Sequence, residues 1–65
     1  MKSYSSREII KLLKAAGWYE VHCVGDHHQF KHPEKTGRVT VTHPVKTMSI
    51  HDLKSIEKQS GLKFD

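Results

Sequence analysis

Apolar residues near the start of the chain recur at the spacing of one helix face. They stand at positions i, i+3, i+4 and i+7, namely Ile9, Leu12, Leu13 and Ala16. That spacing is typical of an amphipathic α-helix. Ser5 followed by Glu8 has the spacing of a capping box, and Gly17 is suited to a left-handed helix end. We therefore predict a first helix over residues 6–16.

The middle of the chain has the composition of β-strands separated by turns. Residues 18–24 are rich in aromatic and β-branched side chains, which favours a first strand. Gly25-Asp26 is typical of a tight turn, so a second strand is expected over residues 27–32. Residues 33–37 have the composition of another turn, and residues 38–42 alternate between polar and apolar side chains. This alternation predicts a third strand.

A second helix is predicted near the end of the sequence. His43-Pro44 ends the third strand because proline lacks a ladder donor, and residues 45–48 then form a loop. Ser49 is expected to cap the helix, with Asp52 at the N3 position and Gly61 at the end. Its apolar side is expected to consist of Ile50, Leu53 and Ile56. Two apolar residues beyond the helix are expected to fold back on the core, Leu62 and Phe64.

The element order predicts an α+β fold: helix, three antiparallel strands, helix, in a single domain over residues 1–65. Two helices would cover one face of the sheet, and the period of two assigns a face to each strand residue. Three apolar residues, Phe30, Val39 and Val41, are expected to face the helices. A four-residue loop would pair Phe30 with Val39 and His27 with Thr42. His28 and His32 would then share the inner face with Phe30.

Composition limits the classes of protein to consider. The formal net charge is +4 and the pI is about 9.4, which is compatible with an anionic partner such as nucleic acid. A single cysteine, Cys23, excludes an internal disulfide and is expected to be a small buried residue. No apolar run approaches the roughly 20 residues of a membrane span, and no secretion signal is recognised. We expect a cytoplasmic protein with no membrane partner.

The histidines raise the question of a metal site. Four of the six are expected near one end of the sheet: His27, His28, His32 and His43. However, His27 and His28 are adjacent in a strand and point to opposite faces, and no cysteine or carboxylate pair is expected nearby to complete four ligands. We therefore predict no metal and no small-molecule cofactor. His28 and His32 are expected to be partly buried and hydrogen-bonded, and His22 and His51 to lie at the surface, where His22 is open to an auxiliary RNA contact.

His27 is the candidate for chemistry. It follows a glycine turn and is expected on the solvent face of the sheet, where the ordinary histidine pKa near 6.5 suits general acid or base catalysis. RNA is a natural substrate for such a group because its 2′-hydroxyl is an internal nucleophile that needs only to lose a proton. Lys31 and Arg38 are expected to hold phosphate on the same face, and Gln29 and Thr40 to contact RNA.

Four segments together resemble one known family. They are Ala15-Ala16-Gly17-Trp18, the run from Gly25 to Pro33, the run from Gly37 to Pro44, and Gln59-Ser60-Gly61-Leu62. Each is weak alone, but the ordered set at this spacing is similar to the HicA (YcfA-like) toxins over nearly the whole chain.

The resemblance implies a fold similar to a double-stranded-RNA-binding domain. It also implies a toxin that cleaves mRNA without the ribosome, and a HicB-like antitoxin as partner. The family motif is Gly, a small residue, then His, and its first histidine is the catalytic one, which is His27 here. The chain departs from many relatives at Asp26, where they have Ser, and at Thr42, where they have Pro.

Two alternatives to a ribonuclease toxin remain open from the sequence. One is a non-catalytic RNA-binding module of the double-stranded-RNA-binding type, which needs cations on the outer face but no titrating group at His27. The other is a degenerate toxin that retains only partner binding, in which the basic face serves to meet an acidic protein.

Overall fold

A computed structural model describes residues 2–64, so Met1 and Asp65, the ends of the predicted domain, lie outside the described residues. The elements are α1 (Ser6–Ala15), β1 (Tyr19–Val24), β2 (His27–Lys31), β3 (Val39–Thr42) and α2 (Ile50–Ser60). This order confirms the predicted α+β class. The predicted ranges of the first helix and of the three strands are each one residue longer, at one end, than the observed elements.

Helix α1 begins with the predicted capping box. The Ser5 hydroxyl accepts a hydrogen bond from the Glu8 backbone N–H, and the Glu8 carboxylate accepts one from the Ser5 N–H at 2.9 Å. The bond from the Ser5 backbone is the main reason why the pKa of Glu8 lies below its ordinary value. Ile9 and Leu13 are fully buried, whereas Leu12 is 41% exposed. The buried stripe of α1 is therefore narrower than its apolar spacing suggests.

The sheet has the order β1-β2-β3, and both neighbouring pairs are antiparallel. The predicted register of β2 and β3 is confirmed, with Phe30 opposite Val39 and His27 opposite Thr42. Phe30, Val39 and Val41 are fully buried beneath the helices. We call this side of the sheet the inner face and the opposite side the outer face.

Strand β1 contains an irregularity that the sequence pattern did not indicate. Glu20 is opposite Phe30 but His22 is opposite Gln29, so Val21 is an extra residue in the β1 ladder. Such a β-bulge changes which residues of a strand share a face. Beyond the bulge, Cys23 is opposite His28. Glu20 and Cys23 therefore both lie on the inner face, although three positions separate them.

Helix α2 is capped as predicted, by the Ser49 hydroxyl accepting from the Asp52 N–H and by Gly61 in the left-handed region. Leu53 and Ile56 are buried, but the prediction for Ile50 is wrong, because its side chain is 60% exposed. Ile50 is the first residue of the helix, one turn before the part that packs on the core. Phe64 folds back on the core as expected and contacts the Tyr4 ring at 5.6 Å between centroids.

The core lies between the two helices and the strands β2 and β3. Its buried apolar residues are Tyr4, Ile9, Leu13, Trp18, Phe30, Val39, Val41, Met48, Leu53, Ile56 and Phe64. All six residues of β1 are exposed. The expectation that Cys23 is buried is therefore wrong, because its strand extends past the cover of the helices. Within residues 2–64, neither helix is long and apolar enough to cross a membrane.

Candidate active site

The outer face of the sheet brings the predicted RNA contacts together in rungs across the strands. His27 is opposite Thr42 and Gln29 is opposite Thr40. Lys31 is the next outer residue of β2, and Arg38 immediately precedes β3. The Arg38 guanidinium donates a hydrogen bond of 2.7 Å to the Gln29 side chain. The predicted contacts thus form one continuous polar surface.

His27 stands at one end of this surface. Its side chain is 62% exposed, and its Nε2 atom lies 3.4 Å from Asp26 Oδ1, which is also well exposed. The Asp26 carbonyl accepts a hydrogen bond of 2.8 Å from the His43 N–H. This bond joins the turn before β2 to the residue after β3. The His27 imidazole is therefore exposed to solvent, while the backbone of His27 pairs with β1 on one side and β3 on the other.

The cationic end of the surface is separated from His27. Lys31 is four residues further along β2, which corresponds to about 13 Å at the rise of an extended strand. Lys31 and Arg38 are both exposed. The outer face therefore carries an exposed imidazole at one end and two exposed cations at the other.

Strand β1 adds further residues to the outer face, of which Tyr19 and Val24 were not predicted to lie there. Tyr19 is opposite Lys31, His22 is opposite Gln29 and Val24 is opposite His27. Tyr19 is 49% exposed. An exposed ring beside a lysine is the combination on which single-stranded nucleic acids stack. Tyr19 could not be assigned to this face from sequence, since the bulge at Val21 alters the alternation.

On the inner face, His28 has the partly buried, hydrogen-bonded environment predicted for it. Its Nδ1 atom lies 3.2 Å from Glu20 Oε2 and its Nε2 atom 3.7 Å from Cys23 Sγ. The His28 ring also packs edge-on against His43, with 5.3 Å between centroids. The expectation that no cysteine lies near the histidines is wrong, because the bulge turns Cys23 toward His28.

His32 also meets its prediction. Its Nε2 atom lies 3.0 Å from the Ala16 carbonyl oxygen, and its Nδ1 atom accepts a hydrogen bond from the Glu34 N–H. A carbonyl can only accept and an N–H can only donate, so these contacts assign Nε2 as the donor and Nδ1 as the acceptor. The ring packs edge-on against Trp18 at 5.2 Å. His32 therefore links the end of α1 to the loop after β2. Its contacts hold the fold together and do not involve His27.

The four histidines considered for a metal site do not form one set. His28 and His43 are neighbours on the inner face, His27 points to the outer face, and His32 is held by backbone groups. His22 and His51 are exposed, as predicted.

Comparison with known protein families gives a match for this chain. The family described as HicA toxin of bacterial toxin-antitoxin matches residues 6–62 of the 65-residue chain. The chain belongs to the HicA toxin family. No curated protein matches the sequence. Membership makes the chain a toxin of a toxin–antitoxin system and implies an antitoxin as its partner.

This HicA toxin has a second basic feature near the His27 end of the sheet. Ser6, Arg7, His43 and Lys46 help to line a cavity of about 410 Å³. The buried Ser6 hydroxyl accepts a hydrogen bond from the Val45 N–H at 2.7 Å and lies 2.7 Å from His43 Nδ1. Arg7 and Lys46 were not predicted, because they are isolated cations in sequence and only the fold brings them together.

Proposed function

We propose that this HicA-family chain is a metal-independent endoribonuclease that cleaves mRNA, with His27 as its proton-transfer group. The observation that carries the proposal is the exposed imidazole of His27 at the end of a polar, cationic sheet face. Imidazole is the side-chain group most often used to transfer protons in enzymes, and it must be exposed to reach a phosphodiester.

The reaction that fits this surface is transfer within the RNA backbone. The 2′-oxygen forms a bond to the adjacent phosphorus as its proton leaves, and the bond from phosphorus to the 5′-oxygen breaks as that oxygen gains a proton. His27 accepts the first proton as general base or supplies the second as general acid, and water takes or gives the other proton. Lys31 and Arg38 hold phosphates further along the chain, and Gln29 and Thr40 contact RNA between them.

Tyr19 and Asp26 have supporting roles in this proposal. A base stacks on the Tyr19 ring, which places its phosphate beside Lys31. Asp26 lies 3.4 Å from the His27 ring and orients it, as carboxylates beside catalytic histidines do. The contact is exposed to solvent, so its contribution to the stability of the fold is small.

The test compares His27→Ala with His51→Ala, since both histidines are exposed and only His27 lies on the outer face. We expect His27→Ala to lose growth arrest and to cleave purified mRNA about 10²- to 10⁴-fold more slowly. Its free energy of unfolding should change by no more than about 0.5 kcal/mol. His51→Ala should keep both toxicity and cleavage. EDTA should leave wild-type cleavage unchanged, because no metal takes part in the proposed transfer.

Partner binding separates the proposal from its alternatives. We propose a HicB-like protein as the antitoxin, and His27→Ala should bind it as tightly as the wild type does. If the wild type binds RNA without cleaving it, the chain is a non-catalytic binding module. If it binds only the antitoxin, it is a degenerate toxin. Cleavage that survives in His27→Ala, or that stops in EDTA, contradicts the proposed mechanism.

A further inference from the structure

A second cluster of reactive side chains lies on the inner face, where no helix covers β1. It consists of Glu20 and Cys23 from β1 and His28 from β2. One potential ligand atom from each residue lies within 4.8 Å of the others. In a regular strand Glu20 and Cys23 would point to opposite faces, because three positions separate them. The bulge at Val21 is therefore what assembles the cluster.

The spacing within the cluster matches that of metal ligands. Cys23 Sγ and His28 Nε2 are 3.7 Å apart. A tetrahedral zinc site with ordinary Zn–S and Zn–N bond lengths separates its sulfur and nitrogen ligands by about 3.6 Å. The two atoms thus already stand close to the separation that one shared ion requires.

Glu20 completes the donor set, because one of its carboxylate oxygens lies within 4.8 Å of a ligand atom of each of the other two residues. Its Oε2 atom lies 3.2 Å from His28 Nδ1. The Nε2 atom of the same ring faces Cys23. The cluster is also reachable from solvent, because Glu20 and Cys23 are exposed and the His28 side chain is 19% exposed.

We propose that Glu20, Cys23 and His28 bind a thiophilic divalent cation, for which Zn²⁺ is the best match. A thiolate and an imidazole favour zinc over magnesium or calcium, and a carboxylate is an accepted third ligand. The Cys23 thiol loses its proton on binding, and water occupies the remaining position. The ion ties the exposed strand β1 to β2 and so stabilises the edge of the sheet.

This site is separate from the proposed ribonuclease site. His27 and His28 are adjacent in β2 and therefore point to opposite faces. The cation site does not depend on the ribonuclease proposal, and removal of the ion is expected to lower thermal stability without stopping cleavage in folded protein.

Zinc titration by calorimetry under reducing conditions tests the site in untagged protein. We expect one Zn²⁺ per chain, proton release on binding, and a melting temperature raised by about 4 °C or more at saturation. Cys23→Ser should weaken binding by more than about tenfold, and Glu20→Gln should weaken it less. With Co²⁺ as a probe, the wild type should show a thiolate-to-cobalt charge-transfer band that Cys23→Ser lacks.

The matched control is His22→Ala, because His22 lies on the same strand but on the outer face. It should bind Zn²⁺ as the wild type does. If His22→Ala abolishes binding while Cys23→Ser retains it, the ion is held by outer-face histidines and the proposal is wrong. Absence of zinc binding in folded wild-type protein also overturns it. Cys23 is exposed, so its replacement by serine is expected to leave the fold intact.

Discussion

At the scale of single residues, Gly17 and His32 form a contact on which the helix end depends. Gly17 has φ +100°, a conformation that favours glycine, and the Trp18 N–H donates back to the Leu13 carbonyl at 3.0 Å. A Cβ atom at position 17 would come within 2.8 Å of His32 Nε2. That nitrogen holds the Ala16 carbonyl. Gly17 therefore ends α1, and its lack of a side chain leaves room for His32 to bind the Ala16 carbonyl at the end of the helix.

Gly17→Ala should destabilise the protein more than Gly37→Ala does. Gly37 has φ +83°, but a methyl group there would meet no atom within 4 Å, so both variants incur the left-handed backbone cost of about 1–2 kcal/mol. Gly17→Ala additionally displaces His32 and should lose about 1–3 kcal/mol more through the unsatisfied carbonyl. Denaturant unfolding of both variants measures the difference. Equal losses would show that the His32 contact adds no stability.

At the scale of elements, β1 differs from β2 and β3 because its six residues are exposed on both faces. Its outer face continues the polar surface of the sheet, with Tyr19 opposite Lys31. Its inner face carries Glu20 and Cys23. The bulge at Val21 places Tyr19 on the outer face and both Glu20 and Cys23 on the inner face. The two faces of β1 thus belong to two separate proposed sites.

Tyr19→Ala should weaken binding of single-stranded RNA by about 1–3 kcal/mol, the usual contribution of one stacked base. Tyr19→Phe is the matched control, because it keeps the ring and removes only the hydroxyl, and it should bind nearly as the wild type does. The slope of log affinity against log salt should not change in either variant, since no charge is lost. Fluorescence anisotropy with a labelled oligonucleotide measures both quantities. Unchanged affinity in Tyr19→Ala would remove β1 from the RNA surface.

The parts of the fold that could be predicted are those set by local spacing. Helix caps at Ser5 and Ser49 depend on nearby backbone donors, and the short loop before β3 determines which residue pairs with Phe30. The exposure of Ile50 and Cys23 could not be predicted from local spacing. It depends on how far the packing between helices and sheet extends, which only the tertiary structure shows. The bulge at Val21 has no Gly or Pro to indicate it. The placement of Tyr19 and the Glu20 cluster therefore required the structure.

At the scale of the whole molecule, eleven basic residues against seven acidic ones give the chain a net positive charge. In the proposed complex with RNA, neutralised phosphates would release counterions, and binding would therefore depend on salt. The charge alone does not locate the binding surface, since basic residues are present on several elements. Lys31 and Arg38 are distinguished by their place on the same face as His27.

Replacing both Lys31 and Arg38 with Gln should reduce the salt dependence of RNA binding. The loss of two phosphate contacts lowers the slope by about 1.4 for a single-stranded ligand. The control is the double variant Lys11→Gln and Lys14→Gln, which removes the same charge from the exposed side of α1 and should change the slope less. Equal slopes in the two double variants would mean that overall charge, not the outer face, determines binding.

The contacts of Ser6 and Tyr4 have a consequence for the order of events during synthesis. Ser6 binds Val45, 39 residues later, and Tyr4 packs against Phe64. At synthesis rates of about 5–20 residues per second, several seconds separate the translation of α1 from that of the groups that complete its packing. The N-terminal helix of a nascent chain therefore has no core to dock on until nearly all of β1, β2, β3 and α2 has been translated. The packing that supports the sheet surface is therefore complete only late in synthesis, and any activity that depends on that surface begins only as translation of the domain finishes.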